Sequence, residues 1–202
     1  MLLYICSYYG LSATMAYLRN TTKTSKLTPV PGKESIAIFL CLMKMSRPHI
    51  LSGLTEREAI ADALYRVLIG LDHNDIPMFD SAFAGDGDDA IFIFRGKEIK
   101  GRDNIKTEII GWVGPMVTTH TISNARIDIK EGGKTAAFNS YVLAQHCPVG
   151  RGEDNYGPKW LACAEYFVDL VKDDSDGSWK IKKWLINVIW SQGDFSVMDK
   201  PN

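Results

Sequence analysis

From Val117 onward the sequence presents four long stretches of strand-type residues in close succession. Val117–Lys130 ends at Glu131-Gly132-Gly133, and Thr135–Cys147 runs into a Gly- and Pro-bearing loop over residues 148–158. Trp160–Lys172 ends at the turn Asp173–Gly177, and Trp179–Ser191 closes the series. Close spacing with Gly-Gly and Asp-Gly turns indicates antiparallel hairpins rather than parallel strands joined by helices. Whatever precedes these strands must therefore cover one face of an antiparallel sheet.

The region ahead of them supplies helices. Thr55-Glu56-Arg57-Glu58 is a capping box, in which the Thr hydroxyl takes the N3 amide and Glu58 reaches back. Apolar residues then recur at Ile60, Ala63, Leu64, Val67, Leu68 and Leu71, the spacing of one buried helical face. Gly70 and Asp72-His73-Asn74-Asp75 are read as its end. Pro77 suits a first helical turn and predicts a second short helix over Met78–Ala84. Gly85–Asp89 is read as a solvated turn, because it lacks the alternating ligands and distal Glu of a calcium loop. Ala90–Arg95 reads as a strand, with Gly96-Lys97 turning into a short returning strand. Asp103 opens a third helix carrying Ile105, Ile109, Trp112 and Val113 on one face, stopped by Gly114-Pro115. Helices ahead of and beside an antiparallel sheet make an α+β layer architecture.

Residues 1–50 read differently and are expected to be a weakly ordered extension. The domain then covers 51–198, with a tail at 199–202. Met1–Leu18 lacks a basic lead, so it is a poor secretory signal, and it is short and polar for a membrane span. Ile36–Met45 is also too short to span, and Met45 itself is a candidate start of the natural protein. The expected location is cytoplasmic, with secretion the weaker alternative. A net charge of -1 argues against a duplex nucleic-acid partner, which calls for a basic surplus. The cysteines, Cys6, Cys41, Cys147 and Cys163, form no C-x-x-C pair, so neither a disulfide scaffold nor a structural zinc site is expected.

The element order resembles the nuclear transport factor 2-like superfamily, and more closely its SnoaL-like domains, over roughly Leu54–Met198. Two strings carry the resemblance. One is Asp176-Gly177-Ser178-Trp179-Lys180-Ile181 followed by Val188-Ile189-Trp190 and Gly193-Asp194; the other is Thr119-His120-Thr121-Ile122-Ser123-Asn124. The resemblance implies a cone, in which a curved sheet wraps a long helix and leaves a cavity open at one end. The histidine pattern is similar to that of scytalone dehydratase, with Asp72, His120 and His146 at the matching positions. Leu71 stands where that family has a Tyr, Ile91–Phe94 carries no hydroxyl, and Cys163–Tyr166 aligns only loosely with its Ser and Asn.

That resemblance implies a cofactor-free dehydratase, isomerase or cyclase of a small hydrophobic, oxygenated metabolite, in secondary metabolism. Asp72 and His146 are expected as an acid–base pair, with His120 as an electrophilic partner. Asn124, Tyr166, Phe92, Phe94 and Trp190 are the expected substrate contacts. Asn124 faces inward with His120 only when no bulge intervenes on the strand. At most one or two of Trp112, Trp160, Trp184 and Trp190 are expected to line the cavity. No metal or cofactor is expected: the histidines lack ligand spacing, and no Gly-rich phosphate loop follows a strand. Expected partners are a small-molecule substrate and a second copy, with neither nucleic acid nor membrane. The alternative is a non-catalytic assembly or ligand-binding module, such as the small subunit of a ring-hydroxylating dioxygenase.

Overall fold

The computed structural model describes residues 47–85 and 89–199. The expectation of a weakly ordered extension therefore lies outside the described residues up to position 46, as do the centre of the Gly85–Asp89 turn and most of the tail. The chain from Pro48 forms one compact unit.

Helix α1, Glu56–Asp72, begins as its sequence demands. Thr55 and Glu58 form both halves of the capping box, and Glu56 and Glu58 place negative charge at the positive end of the helix dipole. Its apolar stripe is fully used: Ile60, Ala63, Leu64 and Val67 are each at most 1% exposed. A side chain buried so completely contributes roughly 1.5–3 kcal/mol relative to an exposed one. Gly70 lies inside this helix rather than ending it. A Cβ there would sit 2.6 Å from the Phe79 backbone nitrogen, so the missing side chain lets the next segment pack onto the helix.

Helix α2 spans Ile76–Asp80, shorter than the predicted Met78–Ala84. Asp75 caps it through the Met78 amide, while the Ser81 hydroxyl donates to the Met78 carbonyl near its end. Past this turn Phe83 forms an isolated parallel bridge with Ile181 instead. Ile181 N–H donates to the Ala82 carbonyl and Ala84 N–H donates to Ile181. Strands β1 (Ile91–Phe94) and β2 (Lys97–Lys100) form a tight hairpin turning at Arg95-Gly96, one residue earlier than predicted. A helical run follows: α3 (Arg102–Ile105), a π-helical turn (Lys106–Ile110) and α4 (Gly111–Val113).

Strands β3 (Val117–Ile129), β4 (Thr135–Cys147), β5 (Trp160–Lys172) and β6 (Trp179–Gly193) match the predicted long segments, and a 3₁₀ turn, Phe195–Met198, ends the fold. The sheet order is β2-β1-β6-β5-β4-β3. The long strands are antiparallel neighbours, whereas β1 joins the edge of β6 in parallel, so the sheet is mixed. This is the expected α+β architecture, with the curved sheet packed around α1, which touches β3, β4 and β6.

A buried arginine ties the layers together. Arg66, 7% exposed, donates to Asp62, to the Ser81 carbonyl and hydroxyl, and to the Trp179 carbonyl. Its donors are directed at carbonyls and a carboxylate, which is how a fixed charge is accommodated inside a core.

Candidate active site

The inner face of the sheet and the helical run between β2 and β3 enclose a cavity of about 80 Å³. Inward residues alternate along the strands. They include Val142, Ala144 and His146 on β4, Ala162, Ala164 and Tyr166 on β5, and Trp184, Ile186 and Val188 on β6. Small alanines in the middle strands leave the space, and aromatic rings from Phe92, Trp112, Trp160 and Trp184 close its sides. A space of this size holds a few water molecules, since one needs roughly 10–15 Å³ by this measure. It is small for a multi-ring ligand.

The polar groups converge where α1 ends. Asp72, its last residue, accepts three hydrogen bonds. Oδ1 takes the Thr118 hydroxyl at 2.7 Å and His120 Nδ1 at 2.6 Å, while Oδ2 takes the His120 backbone N–H at 2.9 Å. Burial pushes the Asp72 carboxyl upward, but the His120 ring and its charge, the Thr118 hydroxyl and the His120 amide together hold it below the usual range. An ionised carboxylate only accepts, so Nδ1 of His120 carries the proton. In the neutral ring Nε2 is then the bare nitrogen. The His120 side chain is 6% exposed and lines the cavity.

The structure thus pairs Asp72 with His120 and not with His146. His146 lies opposite Thr118 and Trp160 in the ladder, with its ring edge-on to His120 at 5.3 Å between centres. It is 5% exposed and its Nδ1 has no hydrogen-bond partner. Burial, then the neighbouring His120 charge, push it down to about 4, against opposing effects of the Trp160 backbone and Asp72. His146 is therefore neutral near pH 7. Tyr166, also in the wall, is pushed up by burial and by the Asp72 charge, so its phenol stays protonated. A neutral phenol can donate a hydrogen bond but is no base.

Of the expected substrate contacts, Phe92, Phe94 and Tyr166 line the cavity, whereas Asn124 and Trp190 do not. Asn124 is exposed with φ of 54°, at a bulge where the β3–β4 register shifts between Ser123 and Arg126. Two residues of β3, Asn124 and Ala125, stand against Ser140 alone, and this one extra residue turns the alternation over, so Ile127 takes the inward place. A second bulge, at Cys163/Ala164 in the β5–β6 pairing, leaves Trp190 opposite Cys163 on the outer face, 46% exposed. Three tryptophans, Trp112, Trp160 and Trp184, line the cavity, more than the one or two expected. Trp112 also donates through its indole N–H to the Met198 carbonyl, anchoring the C-terminal turn. Thr118 was not singled out by sequence. Its signal was available, since it shares the inward alternation of His120 two residues on. Among the described residues, no three His, Cys, Asp or Glu side chains are grouped to hold a metal ion. Likewise no described helix is long and apolar enough to cross a membrane.

The chain is 39% identical over 148 residues to terrestric acid biosynthesis cluster protein E of Penicillium crustosum, covering 73% of this chain and 92% of that one. A protein of Novosphingobium aromaticivorans DSM 12444 assigned as a scytalone dehydratase superposes with a TM-score of 0.57 at 25% identity, over 69% of this chain and 87% of its own. The hexachlorocyclohexane dehydrochlorinase LinA-type3 from Novosphingobium barchaimii LL02 shares the fold, with a TM-score of 0.55 at 21% identity, over 72% of this chain and 94% of its own. Residues 52–185 match the family described as SnoaL-like domain, and the chain belongs to that family.

Proposed function

We propose that this protein is a cofactor-free lyase or isomerase that works by acid–base catalysis on a small hydrophobic, oxygenated metabolite of secondary metabolism. The observation that carries this reading is the 2.6 Å contact between Asp72 and His120, whose ring lines a mostly apolar cavity. Burying a carboxylate and an imidazole together costs stability unless they are paired, and such arrangements concentrate at functional sites. In this reading Nε2 of His120 removes a proton from the substrate. Asp72 stabilises the resulting imidazolium, and the proton returns to a leaving hydroxyl in a dehydration or to another carbon in an isomerisation or cyclisation. His146, neutral, and the Tyr166 phenol hold the substrate oxygen as charge develops on it. This exchanges the roles first expected of the two histidines. The name of the Penicillium relative, from a biosynthetic cluster, supports a place in secondary metabolism. The buried pair, with the His120 ring in the cavity wall, favours this reading over a non-catalytic assembly module.

The test is to incubate metabolite extracts of a strain lacking the gene with wild-type protein and with His120→Ala. Species consumed by the wild type alone, with a product lighter by water or of equal mass, support the proposal. Identical profiles with both proteins contradict it.

We also propose a homodimer formed through the outer face of the sheet. Tyr141, Leu143, Phe167 and Trp190 are 42–46% exposed there, alongside Cys163 and Leu185. Sedimentation at micromolar concentration is expected to give a dimer; a monomer refutes the pairing.

A further inference from the structure

Arg95 stands where β1 ends, directly after the cavity wall Phe94. It occupies the first central position of the β1–β2 turn with φ of 50°, followed by Gly96 at 78°. Phe94 pairs with Lys97, so the loop has two residues, both left-handed. Such turns favour Asn, Asp or Gly at Arg95's position. A long side chain held in left-handed backbone is a local strain of the kind that marks functional positions.

The strained turn lifts the guanidinium over two rings, 5.4 Å from the centre of Phe94 and 5.0 Å from that of Phe195. Phe94 is a cavity wall. Phe195 meets Trp160, another wall, edge-on at 5.5 Å. Arg95 thus bridges the end of β1 and the C-terminal 3₁₀ turn at the exposed rim. Stacking on rings occupies the face of a guanidinium and leaves its in-plane N–H donors for a bidentate acceptor. Among the described residues Arg95 has no carboxylate partner, whereas Lys97, Lys100 and Lys106 close by are each paired with an acid.

We propose that Arg95 is the specificity-determining residue for an acidic substrate: the apolar part enters the cavity, and a carboxylate or equally acidic oxygen pair lies at the exposed rim against the guanidinium. This rests on the proposed active site and names the substrate class it serves. The substrate body next to the dyad is slim and apolar, because alanines and aromatic rings define the cavity. The acidic end is planar and bidentate, because that shape matches the donor fork of Arg and is poorly served by a lone ammonium.

Binding tests this without knowledge of the natural substrate. The probes are octanoate and octanamide, equal in length and differing in charge, titrated calorimetrically into wild type, Arg95→Asn, Arg95→Lys and Asp72→Asn. Wild type is expected to bind octanoate at least fivefold more tightly than octanamide. Arg95→Asn is expected to abolish that preference while leaving octanamide affinity within twofold. It should also melt at or near the wild-type temperature, since Asn suits the turn. Arg95→Lys is expected to recover only part of the preference. Equal wild-type affinity for acid and amide, no binding of either, or an equal loss of both in Arg95→Asn overturns the proposal. The two readings separate in Asp72→Asn. If it keeps full turnover, the dyad fails, while an octanoate preference retained in the same variant still supports the role of Arg95.

Discussion

Replacing His146 by Phe should remove most of one acid-sensitive component of stability. The folded protein holds His146 down to about 4, against the ordinary 6.5 of the unfolded chain. Between those values the unfolded chain binds a proton at this position and the folded chain does not. Stability therefore falls as pH falls, at up to about 1.4 kcal/mol per pH unit. The contribution is fully present above pH 6.5 and is lost by about pH 4, a total of about 3 kcal/mol across the gap. That is a large fraction of the roughly 5–15 kcal/mol that holds an ordinary domain together. Phe fills the same apolar place and does not titrate. Urea unfolding of wild type and His146→Phe, at intervals from pH 7.5 to 4.5, gives the difference between the two at each pH. Other titrating groups, Asp72 among them, occur in both proteins and largely cancel. The difference should move against the wild type by about 2–3 kcal/mol over that range. A flat difference, or one that moves in the wild type's favour as acid is added, shows that His146 is solvated or protonated in the folded state and refutes the reasoning.

Other outcomes follow from packing. Leu64→Ala, at a position 1% exposed under the sheet, should cost about 2–5 kcal/mol in urea unfolding; a cost below 1 kcal/mol places the helix stripe elsewhere. Gly70→Ala should lower the melting temperature by several degrees despite the better helix propensity of Ala, because its Cβ meets the Phe79 backbone at 2.6 Å; stabilisation contradicts the close approach. Deleting residues 1–44 should leave the melting temperature nearly unchanged, since the compact unit begins at Pro48; a large drop shows that the extension contributes to the fold.

What sequence revealed here was local in origin. The Thr55 capping box, the stripe from Ile60 to Leu71 and the alternation of β4 each depend on residues a few positions apart. The SnoaL-like strings at Thr119–Asn124 and Asp176–Asp194 then placed those elements in a known order. The errors arise from register. Bulges near Ser123 and Cys163 reversed the alternation, and with it the faces of Asn124 and Trp190. No local pattern distinguishes a strand with a bulge from one without. The choice between His120 and His146 as partner of Asp72 depended on how α1 abuts β3, a tertiary contact that sequence spacing does not encode. The burial of Arg66 rests on Asp62 one turn away and on Ser81 and Trp179, partners that sequence spacing does not bring together.

The central claim is that Asp72 and His120 act as one unit. The direct measurement is turnover of Asp72→Asn, His120→Ala and the double variant on the metabolite that wild-type protein consumes. Each single change should lower kcat by about 10²–10⁴, the range for a positioned acid or base. The double variant should be little worse than His120→Ala, because members of one catalytic unit do not add. Full activity in Asp72→Asn, or losses in the double variant that multiply, contradict a dyad.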